Sequence, residues 1–173
     1  ADAEPGMTVI IRSHGVTRQV IEELESRGVE IVDATCPFVK RIHGIVAKAR
    51  EEGKLPIIIG TRAHPEVEGI AGWCDDCRIF ETPEELENWL SESAENTKIP
   101  VTLVCQTTST QKLWEICREI IKKVCTNREI FDTICEATEK RQAEAGELSR
   151  ISDAMVVVGD TNSSNTKRLA MIC

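Results

Sequence analysis

Short runs of aliphatic, mostly β-branched residues recur along the chain, and each is followed by a polar loop and then a helical pattern. Met7-Thr-Val-Ile-Ile11 reads as a buried strand, residues 29–32, 55–59, 101–104, 129–134 and 155–158 as further strands, and 78–80 as a weaker one. Runs this short and this apolar, alternating with helices, predict an α/β fold with largely parallel sheets. Helices are expected over 17–27, closed by Gly28, and over 37–52, where Pro37 takes a permitted first-turn position. The second of these presents Phe38, Ile42, Ile45 and Ala49 on one face. Thr82 opens a further helix with Glu85 in capping-box position, and Leu113, Ile116, Cys117, Ile120, Ile121 and Val124 stripe another. A short helical turn is expected after Pro65.

Composition narrows the class. A chain of 173 residues that is 41% hydrophobic can bury a core, and with only 3% aromatics that core is aliphatic. The net charge of −8, with no basic stripe, argues against nucleic-acid binding but not against a small anionic ligand. No apolar run approaches the roughly 20 residues that span a bilayer, and no stretch reads as a signal peptide. A cytoplasmic protein is the expectation. The start at Ala1 without an initiator methionine and the stop at Cys173 suggest a fragment.

The polar loops that end the strands carry the chemistry. In order they are Ser13-His14-Gly15, Ala34-Thr35-Cys36-Pro37, Ala63-His64-Pro65-Glu66, Gln106-Thr107-Thr108, Ile134-Cys135-Glu136-Ala137-Thr138 and Asn162-Ser163-Ser164-Asn165. Open α/β sheets bind ligands at the carboxyl ends of their strands, so these loops predict one composite polar pocket. Plain structural readings stand beside this. His14 and His64 could be turn residues, His43 a core histidine, and Thr107, Thr108, Ser163, Ser164 and Asn165 helix caps.

Eight cysteines without an export signal point to metal, cluster, nucleophile or buried thiol rather than to a disulfide framework. Cys105 and Cys117 sit in apolar patterns and read as buried thiols. Cys74-Asp-Asp-Cys77 is a C-x-x-C without a second pair at zinc-finger spacing. Cys36 and Cys135 follow strands inside polar loops, a placement suited to a soft metal centre.

Six motifs in order, Ile11-Arg-Ser-His14-Gly-Val16, Asp33-Ala-Thr-Cys36-Pro37, His64-Pro-Glu66-Val-Glu-Gly69, Gln106-Thr-Thr108, Ile134-Cys135-Glu-Ala-Thr138 with Arg141-Gln142, and Asn162-Ser-Ser-Asn165, resemble the 4-hydroxy-3-methylbut-2-enyl diphosphate reductase (LytB/IspH) family. The likeness runs from about Met7 to Leu169. It implies an iron–sulfur oxidoreductase of the non-mevalonate isoprenoid pathway, built of three α/β units around a central 4Fe–4S cluster. Cys36 and Cys135 match two cluster ligands; the third cysteine, a further histidine and a C-terminal serine loop have no counterpart here. His14 and His64 would bind the diphosphate, Ser163, Ser164 and Asn165 would close on it, Glu66 would supply a proton and Thr107 would hold the network around it. A ferredoxin or flavodoxin type donor would bring electrons. The units expected are residues 1–35, 36–132 and 133–173, with seams at 33–36 and 126–133. An inert fragment, or a metal-binding α/β module using Cys74 and Cys77, is the alternative.

Overall fold

The computed structural model describes residues 3–173. Strands β1 (Thr8–Ile11), β2 (Glu30–Asp33), β3 (Leu55–Ile59), β4 (Arg78–Phe80), β5 (Val101–Cys105) and β6 (Arg128–Ile130) alternate with helices α1 (Arg18–Ser26), α2 (Pro37–Glu51), α3 (Pro65–Ala71), α4 (Pro83–Glu92) and α5 (Gln111–Val124). Helices α6 (Glu136–Ile151) and α7 (Ser164–Ile172) complete the chain. Every strand pairing is parallel. β1 and β2 form one two-stranded sheet, and a second sheet runs β4-β3-β5-β6, with Ile59 of β3 opposite Cys105 of β5.

The larger sheet is buried on both faces, which is why β3 and β5 are apolar without alternation apart from Thr102, itself fully buried. Leu55, Ile57 and Ile59 face Leu86 and Leu90 of α4 and Trp114, Cys117 and Ile121 of α5. Ile58 and Val104 face Ile42 and Val46 of α2 and Val67 and Ile70 of α3. Each such aliphatic side chain contributes roughly 1.5–3 kcal/mol when fully buried. Burial also pushes the Cys105 and Cys117 thiols up to about 12, so neither is a reactive thiol.

Four local expectations are corrected. The buried face of α2 is Val39, Ile42, His43, Val46 and Ala49, while Phe38 is 47% exposed, because the helix meets β3 and α3 one position round from the stripe read off the sequence. On α5, fully buried Trp114 takes the place expected of Ile116, which is 42% exposed. The Glu85 carboxylate does not reach back to Thr82; it accepts from the Glu81 N–H at 3.1 Å and from Arg62 at 2.7 Å, although Thr82 does cap Glu85 N–H. Finally, residues 155–158 form no strand. Val156 and Val158 are 87% and 90% exposed, and among the described residues no neighbouring strand accepts their backbone groups.

β6 stops at Ile130, four residues short of the run read from sequence. The Phe131 N–H still bonds Leu103 O at 3.0 Å. Beyond it the Thr133 hydroxyl replaces the ladder, accepting from Cys105 N–H at 2.8 Å and donating to Cys105 O at 2.6 Å. That substitution frees the chain to turn toward Cys135.

Candidate functional site

The loops after β3 and β5 are locked together by one side chain. Gln106 is fully buried; its Oε1 accepts from Thr61 N–H at 3.1 Å and its Nε2 donates to Thr108 Oγ1 at 3.1 Å. Gly60 permits this approach, since a Cβ there would stand 2.8 Å from the Gln106 Cβ. The two loops therefore present Thr61, His64 and Thr108 from a fixed frame.

Opposite them, the loop after β1 and the start of α7 close a cavity of about 610 Å³. His14 and His64 meet edge to face with ring centroids 5.3 Å apart. His64 Nδ1 accepts from the Glu66 N–H at 3.1 Å at the start of α3, which leaves Nε2 as the proton-bearing donor of the neutral ring. Arg12 and Lys167 also line the cavity, with Ser163, Ser164 and Asn165 at the N-terminus of α7 and Asp160 beside them. Ser163 caps α7 by accepting from Thr166 N–H at 3.3 Å, so its hydroxyl both caps and lines. Buried polar atoms without partners mark the wall: Nδ1 of His14 and Oδ1 of Asn165. Burial, then the Arg12 charge, holds His14 below the ordinary imidazole value. His64 is lowered by burial first, and by His14, Arg12 and Lys167 as well. Two cations, neutral imidazole donors, hydroxyls and the α7 N-terminus around one cavity suit a small multiply charged anion.

The turn that carries His14 is held from behind. Gly15 adopts φ +72°, and a Cβ there would lie 2.7 Å from His43 Cε1 and 3.1 Å from Thr35 Cγ2. His43 is buried and stacks on Trp73 at 5.1 Å, and Trp73 Nε1 donates to Val16 O at 2.9 Å. The ring reads as a core histidine, and burial pushes it down to about 4, so it packs as a neutral group.

Glu66 lies behind the cavity rather than in its lining, 2% exposed. Its carboxylate accepts from Thr107 N–H and from Thr107 Oγ1, both at 2.7 Å. Burial raises its pKa above the ordinary carboxyl value against the opposing pull of the two Thr107 bonds. Thr107 O in turn accepts from Cys135 N–H at 2.9 Å, which chains Glu66 to the α6 N-terminus through one residue.

Cys36 and Cys135 are both half-buried free thiols at helix N-caps, and neither side chain makes a capping bond. Cys36 is tethered through its N–H to Ser13 O at 3.0 Å, one residue before His14. Free thiols at helix N-termini suit thiolate ligation. Among the described residues, however, no group of three or more His, Cys, Asp and Glu side chains converges on a metal position, so these two alone do not complete a cluster site.

A sequence profile of the family described as LytB protein matches residues 2–173. The chain belongs to the LytB family. Relatives of this LytB chain include the 4-hydroxy-3-methylbut-2-enyl diphosphate reductases of Caldanaerobacter subterraneus subsp. tengcongensis, 44% identical over 170 residues, and of Clostridioides difficile, 41% identical over 169. These alignments cover 97% and 95% of the chain but only 57% and 58% of the relatives. The chain thus spans a little over half the length of the relatives it matches. It also superposes on a solved (E)-4-hydroxy-3-methyl-but-2-enyl diphosphate reductase, the terminal enzyme of the non-mevalonate pathway, with TM-score 0.71 and 34% identity, covering 99% of this chain and 60% of that one. The E-1-hydroxy-2-methyl-but-2-enyl-4-diphosphate reductase from Plasmodium falciparum matches with TM-score 0.89 and 28% identity, over 99% of this chain and 54% of that one.

Within this LytB chain the structure brings His14, His64, Ser163, Ser164 and Asn165 into one cavity and pairs Glu66 with Thr107. It leaves Cys36, Cys135, Glu66 and Thr107 outside that lining. Sequence reasoning passed over Arg12 and Lys167. The signal was present: Arg12 stands two residues before His14 at the end of β1, and Lys167 follows Ser163 by one helical turn.

Proposed function

We propose that this LytB chain supplies the diphosphate-binding wall and the proton-donating carboxyl of a 4-hydroxy-3-methylbut-2-enyl diphosphate reductase. The reaction breaks the allylic C–O bond and releases the hydroxyl as water, consuming two electrons and two protons to give isopentenyl and dimethylallyl diphosphate. The observation that carries this reading is a cavity lined by Arg12, Lys167, His14, His64 and the α7 N-terminus, backed by a buried carboxyl whose pKa is raised.

The chain's own residues would divide the work. Arg12 and Lys167 offset the diphosphate charge, and His64 Nε2–H, Ser164 and the α7 N–H groups orient its oxygens. Glu66 holds the proton. Burial favours its neutral form, and Thr107 Oγ1, which donates to the carboxylate, can rotate to accept from the carboxylic acid. A 4Fe–4S cluster, the electron conduit implied by the resemblance, would take Cys36 and Cys135 and needs a further ligand that the described residues do not supply. The electrons would come from a ferredoxin or flavodoxin type protein, in the cytoplasm. No described helix is long and apolar enough to cross a membrane.

The test is turnover of the diphosphate with a chemical reductant by a full-length reductase carrying this segment, alongside pyrophosphate binding to the chain by calorimetry. Glu66→Gln should lower kcat about 100-fold or more with pyrophosphate affinity kept, whereas Lys167→Ala should weaken pyrophosphate binding about ten-fold. Unimpaired turnover by Glu66→Gln, or equal pyrophosphate affinity in Lys167→Ala, overturns the assignment.

A further inference from the structure

The C-x-x-C motif is not absorbed by the anion cavity or by the two helix-cap thiols. It follows the C-terminal end of α3, where the backbone bends through residues 74–76 before β4 begins. Cys74 is 7% exposed and belongs to the cluster under α2 and α3, while Cys77 packs against the same cluster and stays partly exposed. Residues at i and i+3 across a tight bend have Cα atoms within about 7 Å, the separation a disulfide spans. Both are free thiols, and both side chains pack into the same cluster under α2 and α3.

We propose that Cys74 and Cys77 form a reversible dithiol–disulfide site that exchanges with a protein or low-molecular-weight disulfide, Cys77 acting as the attacking thiol and Cys74 as the resolving one. Exposure assigns the roles, since Cys77 is the more accessible thiol and Cys74 is buried. Its chemistry agrees. The hydrogen bond from Cys74 holds Cys77 below the ordinary thiol value, and the same bond, followed by burial, holds Cys74 above it. The Cys74 S–H lies 3.4 Å from Ala71 O. The Cys77 thiolate attacks one sulfur of the partner disulfide and releases the first partner thiol. Cys74 then loses its proton and attacks the Cys77 sulfur, releasing the second. The pair gives up two electrons and two protons, and the partner's two sulfurs receive them as two thiols.

The site can be read without any enzyme assay, because trypsin releases residues 63–78 as one peptide holding Cys74 and Cys77 and no other cysteine. The native protein is equilibrated with oxidised glutathione at pH 7, quenched in acid, labelled with a maleimide in denaturant, digested and weighed. The expected peptide is two hydrogens lighter than the dithiol form and carries no label. In the reduced native protein, Cys77 should label at least ten-fold faster than Cys74, and Cys74→Ser should accumulate the mixed disulfide with glutathione at Cys77. A wild-type peptide that keeps both labels after exposure to glutathione disulfide, or native labelling in which Cys74 is the faster, overturns the proposal.

Discussion

The Thr107–Glu66 pair makes a prediction whose size follows from its geometry. Thr107→Val is nearly isosteric and removes only the 2.7 Å bond from Oγ1 to Glu66 Oε2, leaving the 2.7 Å bond from the Thr107 N–H to Oε1 in place. A hydrogen bond to a charged group is worth about 1.5–3 kcal/mol and one between neutral groups about 0.5–1.5. The substitution therefore costs about 1–1.5 kcal/mol more when Glu66 is ionised than when it is protonated, which raises its pKa by roughly one further unit. The sign follows from proton counting. Burial raises the folded carboxyl above the ordinary value of 4.5, so between those two values the folded state binds more protons than the unfolded state. Stability from this group is thus highest below about pH 4.5 and declines as pH climbs through the folded pKa; Thr107→Val extends that decline upward. Urea unfolding at acid pH and at pH 8 should show a penalty for Thr107→Val larger at pH 8 by about 1 kcal/mol. In a Glu66→Gln background the difference between the two pH values should vanish. A penalty independent of pH in the wild-type background, or the same pH dependence without the carboxyl, would refute the coupling.

Two further outcomes can be checked. Gly15→Ala combines a strained φ of +72° with a 2.7 Å contact to His43, so its loss in unfolding free energy should exceed that of Gly28→Ala, where φ is +67° but the space is open, by about 1–3 kcal/mol; equal losses would dismiss the packing behind the His14 turn. Because burial and Arg12 hold free His14 low, an anion in the cavity should raise its pKa. Pyrophosphate binding near pH 7 should then take up protons and tighten as pH falls toward 6. Calorimetry in buffers of different ionisation enthalpy should show this uptake, and its persistence in His14→Asn would point to another group.

The parallel α/β class and six strand positions were legible from short apolar runs, but the run at 7–11 is not the buried strand expected: β3 and β5 are buried throughout, with Thr102 the polar exception in β5, whereas β1 and β2 are largely exposed, Ile10 at 69% and Val32 at 44%. The last expected strand failed for a reason its residues do not contain. Val156 and Val158 have strand propensity, but a strand exists only when a neighbour accepts its hydrogen bonds. The faces of α2 and α5 were misread by about one position, since Phe38 and Ile116 are as apolar as the residues that were buried in their stead. Helix α6 carries no apolar stripe, and only Thr138 in it is buried. Among the candidate site residues, loop position singled out the histidines and serines that the structure gathers around one cavity, while Arg12 and Lys167 look like ordinary surface cations until the cavity is seen.

What residue order alone determined was local: which segments are strands, which loops follow them, and which donors those loops hold. Side-chain type and short-range backbone preference act over a few residues, so a linear reading captures them. Convergence was decided only in three dimensions. Parallel pairing of β3 with β5 places Ile59 beside Cys105, and so brings the Glu66 loop to Thr107, 41 residues away in sequence. That contact buries a carboxyl at the price of its charge, giving Glu66 a protonation equilibrium that no property of an isolated glutamate could supply.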